Sequence, residues 1–262
     1  MTAQRETIDV AGTERGFLLA PPSGPVRAIV LSLHGTRSVA SEQIRLSRLD
    51  RFADQAGAAM VFPQALVPIG RGYEWDPGID TRYLLRLCDV LAERYPDAGG
   101  RVCLTGMSGG ARMSCHFASV HPERVSLLVA VAGLRAPSVE RIGAAVPVFA
   151  FHGTADRINP YTGGHTARWY ESVPDAAHAW AAANGVVGEP ASKRVSQHVT
   201  RTAYGVEGAG NEVLLWTVDG AGHTWPGTRL GPLGWLFLGR TTTEIDATAL
   251  VLAAPYLRPV AG

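Results

Sequence analysis

Gly106-Met107-Ser108-Gly109-Gly110 is a G-x-S-x-G pentapeptide, and Ser108 is the only serine of the chain with glycine two positions before and two after. A serine hydroxyl becomes a nucleophile when a histidine takes its proton and a carboxylate orients that histidine. The glycine spacing has a mechanical reason. A serine thrust out of a sharp strand-to-helix turn has a strained backbone, and side chains at the flanking positions would meet the strand and the helix. The strand-like Val102-Cys103-Leu104 runs directly into this turn, and Ala111, Met113, Phe117 and Val120 continue beyond it at helical spacing. The competing reading is a glycine-rich turn carrying an idle serine.

An elbow of this type takes its partners in the chain order Ser, Asp or Glu, His. Between Ser108 and the last histidine lie Asp156, Asp175 and Asp219. Asp175 is explained as a helix cap and Asp219 as a turn residue at a strand end. Asp156 follows an apolar strand through His152-Gly153-Thr154-Ala155, which puts it in a loop at the carboxyl end of a central strand, where sites in open sheets form. Of the eight histidines, His223 alone follows a strand (213–218) in the right order, across the flexible Asp219-Gly220-Ala221-Gly222. His34 and His152 sit beside glycines at strand ends as loop-bracing side chains. The oxyanion of a tetrahedral intermediate needs two main-chain donors, and the expected pair is the N–H of Gly109 and that of Thr36 in Leu33-His34-Gly35-Thr36.

These residues require elements to place them. The chain reads as a hairpin (7–10 and 17–19) and then alternates: strand 28–33, helix 41–56, strand 58–62, helix 79–95, strand 101–105, helix 109–121, and strands 126–132 and 146–151. A helix capped by Asp175 and ending at Asn184-Gly185 follows, then strands 195–204 and 213–218. A Thr241-Thr242-Thr243-Glu244 capping box opens a last helix. Such alternation means an α/β fold with a mostly parallel central sheet and helices on both faces. No repeat, low-complexity tract or long linker divides the chain, so residues 1–262 are expected to form a single catalytic domain.

Composition excludes several classes. With 24 basic and 23 acidic residues the formal charge is +1, which argues against nucleic acid or an acidic membrane surface as partner. The hydrophobic content of 46% against 18% charged residues belongs to a chain that buries a large core. No apolar run approaches membrane-spanning length and no signal peptide opens the sequence. Cys88, Cys103 and Cys115 lie in apolar stretches without a CxxC pair and read as reduced, buried thiols, so a cytoplasmic location is expected unless a leader has been trimmed. Gly208-Ala209-Gly210 lacks the third glycine and the context of a dinucleotide site, and no P-loop motif exists.

At the elbow, at Leu33-His34-Gly35, at His152-Gly153-Thr154-Ala155-Asp156 and above all at Gly220-Ala221-Gly222-His223-Thr224-Trp225-Pro226-Gly227, the sequence resembles the polyhydroxybutyrate depolymerase and feruloyl esterase branch of the α/β-hydrolases, over nearly its whole length. The resemblance implies an α/β-hydrolase fold with no large lid domain. It also implies ester hydrolysis through an acyl-serine intermediate on Ser108, Asp156 and His223, with no metal and no organic cofactor. Secreted members of the branch carry a signal peptide and often paired cysteines, and polymer-degrading members add a binding domain. Their lack here favours a small soluble ester as the partner, such as a hydroxyalkanoate oligomer or a hydroxycinnamoyl or short acyl ester. Lactonase, thioesterase and peptidase chemistry use the same triad. A non-hydrolytic binder or biosynthetic cyclase on this scaffold is the alternative of a different class. Trp75, Tyr161, Trp225 and Trp235 are candidate substrate contacts forming an apolar rim, and core packing explains each of them equally well.

Overall fold

The computed structural model describes residues 3–139, 142–164, 166, 169–229 and 231–257. The hairpin β1 (Gln4–Val10) and β2 (Thr13–Ala20) leads to β3 (Ala28–Leu33), α1 (Ala40–Ser47), α2 (Ala53–Ala56) and β4 (Ala58–Pro63). A small hairpin, β5 (Val67–Ile69) and β6 (Gly72–Glu74), precedes α3 (Pro77–Arg94). Then come β7 (Val102–Met107), α4 (Gly109–Val120), β8 (Val125–Val131), β9 (Val148–Gly153), α5 (Val173–Ala183), β10 (Ala191–Ser196), β11 (Val199–Tyr204), β12 (Val213–Val218), α6 (Pro232–Leu238) and α7 (Ala247–Ala253).

One sheet runs in the order β1-β2-β4-β3-β7-β8-β9-β12-β11-β10. Its central strands, β4 to β12, are parallel, and antiparallel strands flank them at both edges. Every residue of β3, β4, β7 and β9 is buried, as expected of apolar strands covered on both faces. Tyr83, Leu87, Met113, Phe117 and Trp180 place α3, α4 and α5 in one apolar layer. Ala40, Ala53, Ala247 and Val251 place α1, α2 and α7 in the opposite one. This is the α/β-hydrolase arrangement, a mostly parallel sheet with helices on both sides. The chain leaves β3 toward β4 on one side and toward β7 on the other, so the loops after β3 and β7 meet where strand order reverses.

Several boundaries differ from the sequence reading. The helix expected over 41–56 breaks at Arg48, whose φ is +56°; its guanidinium donates to Gly227 O (3.0 Å) and Asp246 Oδ2 (2.9 Å), a tertiary tie that overrides helix propensity. Ser172, not Asp175, caps α5, accepting from the Asp175 N–H. The 241–244 capping box opens no helix, because Glu244 accepts from the His198 N–H (2.9 Å) and pairs with the His198 ring (2.5 Å). Asp246 caps α7 instead. The strand expected over 195–204 is the end of β10 and the whole of β11, which pair as a ribbon, and 232–238 forms α6. All three thiols are free and buried, and burial pushes each up to about 12. Among the described residues no helix is long and apolar enough to cross a membrane.

Candidate active site

Ser108 sits between the last residue of β7 and the first of α4 with φ +55° and ψ −115°, a conformation that is costly for a residue with a side chain. The surroundings impose it. Its N–H donates to Val131 O on β8 (2.9 Å), and its carbonyl accepts from Arg112 N in α4 (3.0 Å). A Cβ on Gly106 would stand 2.5 Å from the Gly110 carbonyl carbon, and one on Gly110 2.2 Å from Leu33 O. The glycines of the motif are therefore places where strand, helix and the β3 loop touch main chain to main chain.

Asp156 and His223 lie side by side. His223 Nδ1 lies 2.7 Å from Asp156 Oδ2, both side chains almost fully buried. Asp156 Oδ1 accepts from the Ile158 N–H (2.8 Å) and the Asn159 N–H (2.9 Å). Burial alone would push this carboxyl up, but hydrogen bonds from His152 and His223 more than offset it and hold Asp156 well below the usual carboxylate range. It is thus a permanent anion. Because a carboxylate only accepts, Nδ1 of His223 carries the proton and Nε2 is left as the basic nitrogen. The His223 loop is fastened from outside, with the His223 N–H donating to Leu238 O (2.6 Å) and the Gly222 N–H to Arg240 O (2.8 Å).

Thr36 and Gly109 are neighbours. A Cβ on Gly109 would lie 2.9 Å from the Thr36 nitrogen and 2.2 Å from its Oγ1. Gly109 opens α4, and the first N–H groups of a helix have no intrahelical acceptor, so this amide is available to a ligand. The loop that holds Thr36 is braced by His34. That ring's Nδ1 meets Gly35 O (2.8 Å) and its Nε2 accepts from the Ala65 N–H (3.2 Å). Burial drives His34 down to about 4, so it braces as a neutral ring. A cavity of about 400 Å³ opens beside these amides, lined among others by Thr36, Glu74, Trp75, Gly109, Arg112 and Met113.

The four aromatic candidates separate. Trp75 lines this cavity, its indole N–H donating to His34 O (2.8 Å). Trp225 is fully buried and bonds Thr248 Oγ1 (3.0 Å). It is a core residue and not a substrate contact, because the chain turns inward after His223. Tyr161 is half-buried against the α3–α5 layer with its hydroxyl on Thr217 (2.8 Å), so packing accounts for it. Trp235 is 53% exposed on α6 and close in sequence to the segment that holds His223. Sequence reasoning passed over Glu74, Arg112 and Met113, which carried no motif and reach the cavity only through the fold. It also gave His152 no share in the Asp156 carboxylate, although the four-residue spacing after β9 was a usable signal. Among the described residues no three His, Cys, Asp or Glu side chains gather as a metal site would require.

No family model matches the chain. NocK of Nocardia uniformis subsp. tsuyamanensis, a protein assigned as an esterase, is 29% identical over 257 residues, covering 86% of this chain and 74% of NocK. The bifunctional acetylxylan esterase/xylanase XynS20E of Neocallimastix patriciarum is 24% identical over 243 residues, 91% of this chain but 35% of that protein. Acetyl xylan esterase from Aspergillus awamori superposes with a TM-score of 0.63 at 15% identity, covering 84% of this chain and 94% of that one. An S-formylglutathione hydrolase from Agrobacterium tumefaciens gives 0.56 at 15% identity, with 85% and 87% covered. Fold and relatives together define an α/β-hydrolase enzyme of the serine hydrolase class.

Proposed function

We propose that the protein is a serine carboxylesterase acting on a small soluble ester, with Ser108 as nucleophile, His223 as general base and Asp156 as the carboxylate that orients it. The observation that carries this reading is the strained Ser108 at the elbow, with Thr36 packed against Gly109 directly after it. In the reaction His223 Nε2 takes the Ser108 proton while Oγ attacks the ester carbonyl, a contact this mechanism adds to those described above. The two amides receive the oxyanion. His223 then protonates the departing alcohol and later activates the water that releases the acid.

The mixed polar lining of the cavity, with Trp75 as its aromatic wall, suits a short or hydroxylated acyl ester. The acetylxylan esterase names among the relatives support that choice, and the string around His223 supports the depolymerase and feruloyl esterase branch. Three buried free thiols support a reducing compartment, and the balanced charge a small-molecule partner rather than nucleic acid or membrane.

Fluorophosphonate labelling followed by intact-mass measurement tests the assignment. One adduct on the wild type and none on Ser108→Ala, with turnover of a p-nitrophenyl acyl ester falling at least about 10⁴-fold, is the expected result. An unlabelled, folded wild type would move a non-hydrolytic binder ahead.

A further inference from the structure

Asp156 serves two histidines. Oδ2 receives His223 Nδ1 at 2.7 Å and lies 3.3 Å from His152 Nε2. His152 ends β9 four residues before Asp156, and its side chain is 1% exposed. The same Nε2 lies 2.8 Å from Asn159 O, so both of its partners are acceptors and Nε2 must carry the proton. Nδ1 is buried and, among the described residues, has no hydrogen-bond partner. An orphaned buried nitrogen is a cost that packing alone does not explain, since an apolar side chain would avoid it. The groups facing the ring are Tyr161, edge-on at 6.0 Å, whose hydroxyl is engaged by Thr217 of β12, and Trp169 at 5.7 Å, whose ring also takes the Arg135 guanidinium at 5.5 Å. Among the described residues Asp156 lies against its Nε2, with His223 on the same carboxylate oxygen. His152 therefore gives its one N–H to Asn159 O, and the Asp156 carboxylate oxygen lies 3.3 Å from the same nitrogen, within reach of its positive dipole end.

We propose that His152 is a positioning residue that shares the Asp156 carboxylate with His223 and thereby limits how strongly that carboxylate holds the His223 proton. The proposal rests on Asp156 and His223 acting as the acid and base of the reaction. The dipole of a second N–H beside one carboxylate oxygen leaves that oxygen less basic toward the first donor. The His152 and His223 rings together hold Asp156 below the ordinary carboxylate range. Without His152, Asp156 turns more of its charge to His223, the imidazolium formed in the reaction is held more tightly, and the base frees itself at higher pH. The bond from His152 to Asn159 O also pins the turn that supplies two donors to Oδ1.

The test is the pH dependence of kcat/KM for wild type, His152→Phe and His152→Gln, with an ester that the wild type turns over. The acid limb of His152→Phe should move up by roughly half a pH unit or more with KM nearly unchanged. His152→Gln, whose amide nitrogen reaches the Nε2 position, should return it toward wild type. Acid limbs coinciding in all three proteins would overturn the proposal, since a merely structural histidine lowers the rate without moving the limb. Should His152→Phe fail to fold, ¹⁵N NMR of the wild-type histidines decides. The His152 proton on Nε2 supports the proposal and a proton on Nδ1 overturns it. Labelling of Ser108 is independent of these readouts, so unmoved limbs with a labelled Ser108 remove only the role of His152. An unlabelled Ser108 removes the underlying triad.

Discussion

Around Ser108 the main chain is packed so closely that an added methyl group would meet backbone at Gly106, Gly109, Gly110 and Gly133, the last 2.5 Å from the Ser108 carbonyl oxygen. Around His223 the work falls to hydrogen bonds: Asp156 and Leu238 hold the residue itself, and Arg240 holds the glycine before it. The Ser108 half, the nucleophile of the proposed reaction, is thus placed by sterics, which act all or none. The base half is placed by bonds to a carboxylate and to the segment that closes α6, which can be weakened by degrees. The halves meet at β9, where a Cβ on Gly153 would stand 2.2 Å from Ala221 O and the Ala155 N–H donates to that same oxygen (2.9 Å). A rigid surround for Ser108 and an adjustable hold on His223 suit the proposed reaction, in which one proton moves twice.

The largest effect should come from filling the steric half. In Gly109→Ala the new methyl group meets Thr36 Oγ1 and N, and the β3 loop must retreat, separating the two oxyanion donors. We expect kcat to fall by about 10²–10³-fold, the usual loss when one such donor is misplaced. The fold should survive, with stability reduced by roughly 1–3 kcal/mol as in other overpacked sites. Ester turnover within a few-fold of wild type would show that Thr36 and Gly109 do not form the hole.

A second, smaller effect concerns the brace beneath that loop. His34 is buried as a neutral ring at about 4, against about 6.5 in an unfolded chain. Between these values the unfolded state binds the extra proton. Stability from this group is therefore complete above pH 6.5 and is lost as pH falls toward 4, by roughly 3 kcal/mol in all. Urea unfolding followed from pH 7 to 4 should show this slope, and His34→Gln should flatten it by that amount. Equal slopes in the two proteins would mean that His34 charges without cost and that the loop is braced otherwise.

The same contrast governs what could be read in advance. The elbow was legible because close main-chain contact leaves a residue-level trace: only glycine fits at Gly106 and Gly110. Asp156 and His223 were legible because each follows a buried strand in chain order. The region after His223 was not. The 241–244 box has the pattern of a helix start, yet Glu244 is taken by His198 from a ribbon 46 residues away, a pairing no local rule contains. Asp76 caps α3 with Pro77 in the first helical position, a start signal two residues ahead of the helix expected from residue 79. The run from Leu233 to Leu238 is apolar without helical period, so periodicity had nothing to detect in α6. The cavity beside Thr36 joins α4 to the small β5–β6 hairpin, and its Glu74 and Arg112 stand out only once the fold is known.

The two tryptophans expected at the rim bring the comparison to its smallest effect. Trp225 lies inside the layer that carries α7, whereas Trp235 is exposed together with Leu236 (75%) and Phe237 (73%) on a helix whose last carbonyl, Leu238 O, holds the His223 amide. Truncating Trp235 opens no cavity, so Trp235→Ala should leave stability within about 0.5 kcal/mol of wild type by urea unfolding. Its effect should fall on substrate instead. For an ester with an aromatic acyl group KM should rise a few-fold while kcat stays, the mark of binding energy used equally in ground and transition states. For an acetyl ester, which has no aromatic group to offer Trp235, neither constant should move. A fall in kcat with both substrates would mean that Trp235 acts through the backbone that holds His223. The adjustable half of the site would then extend out to the surface of α6.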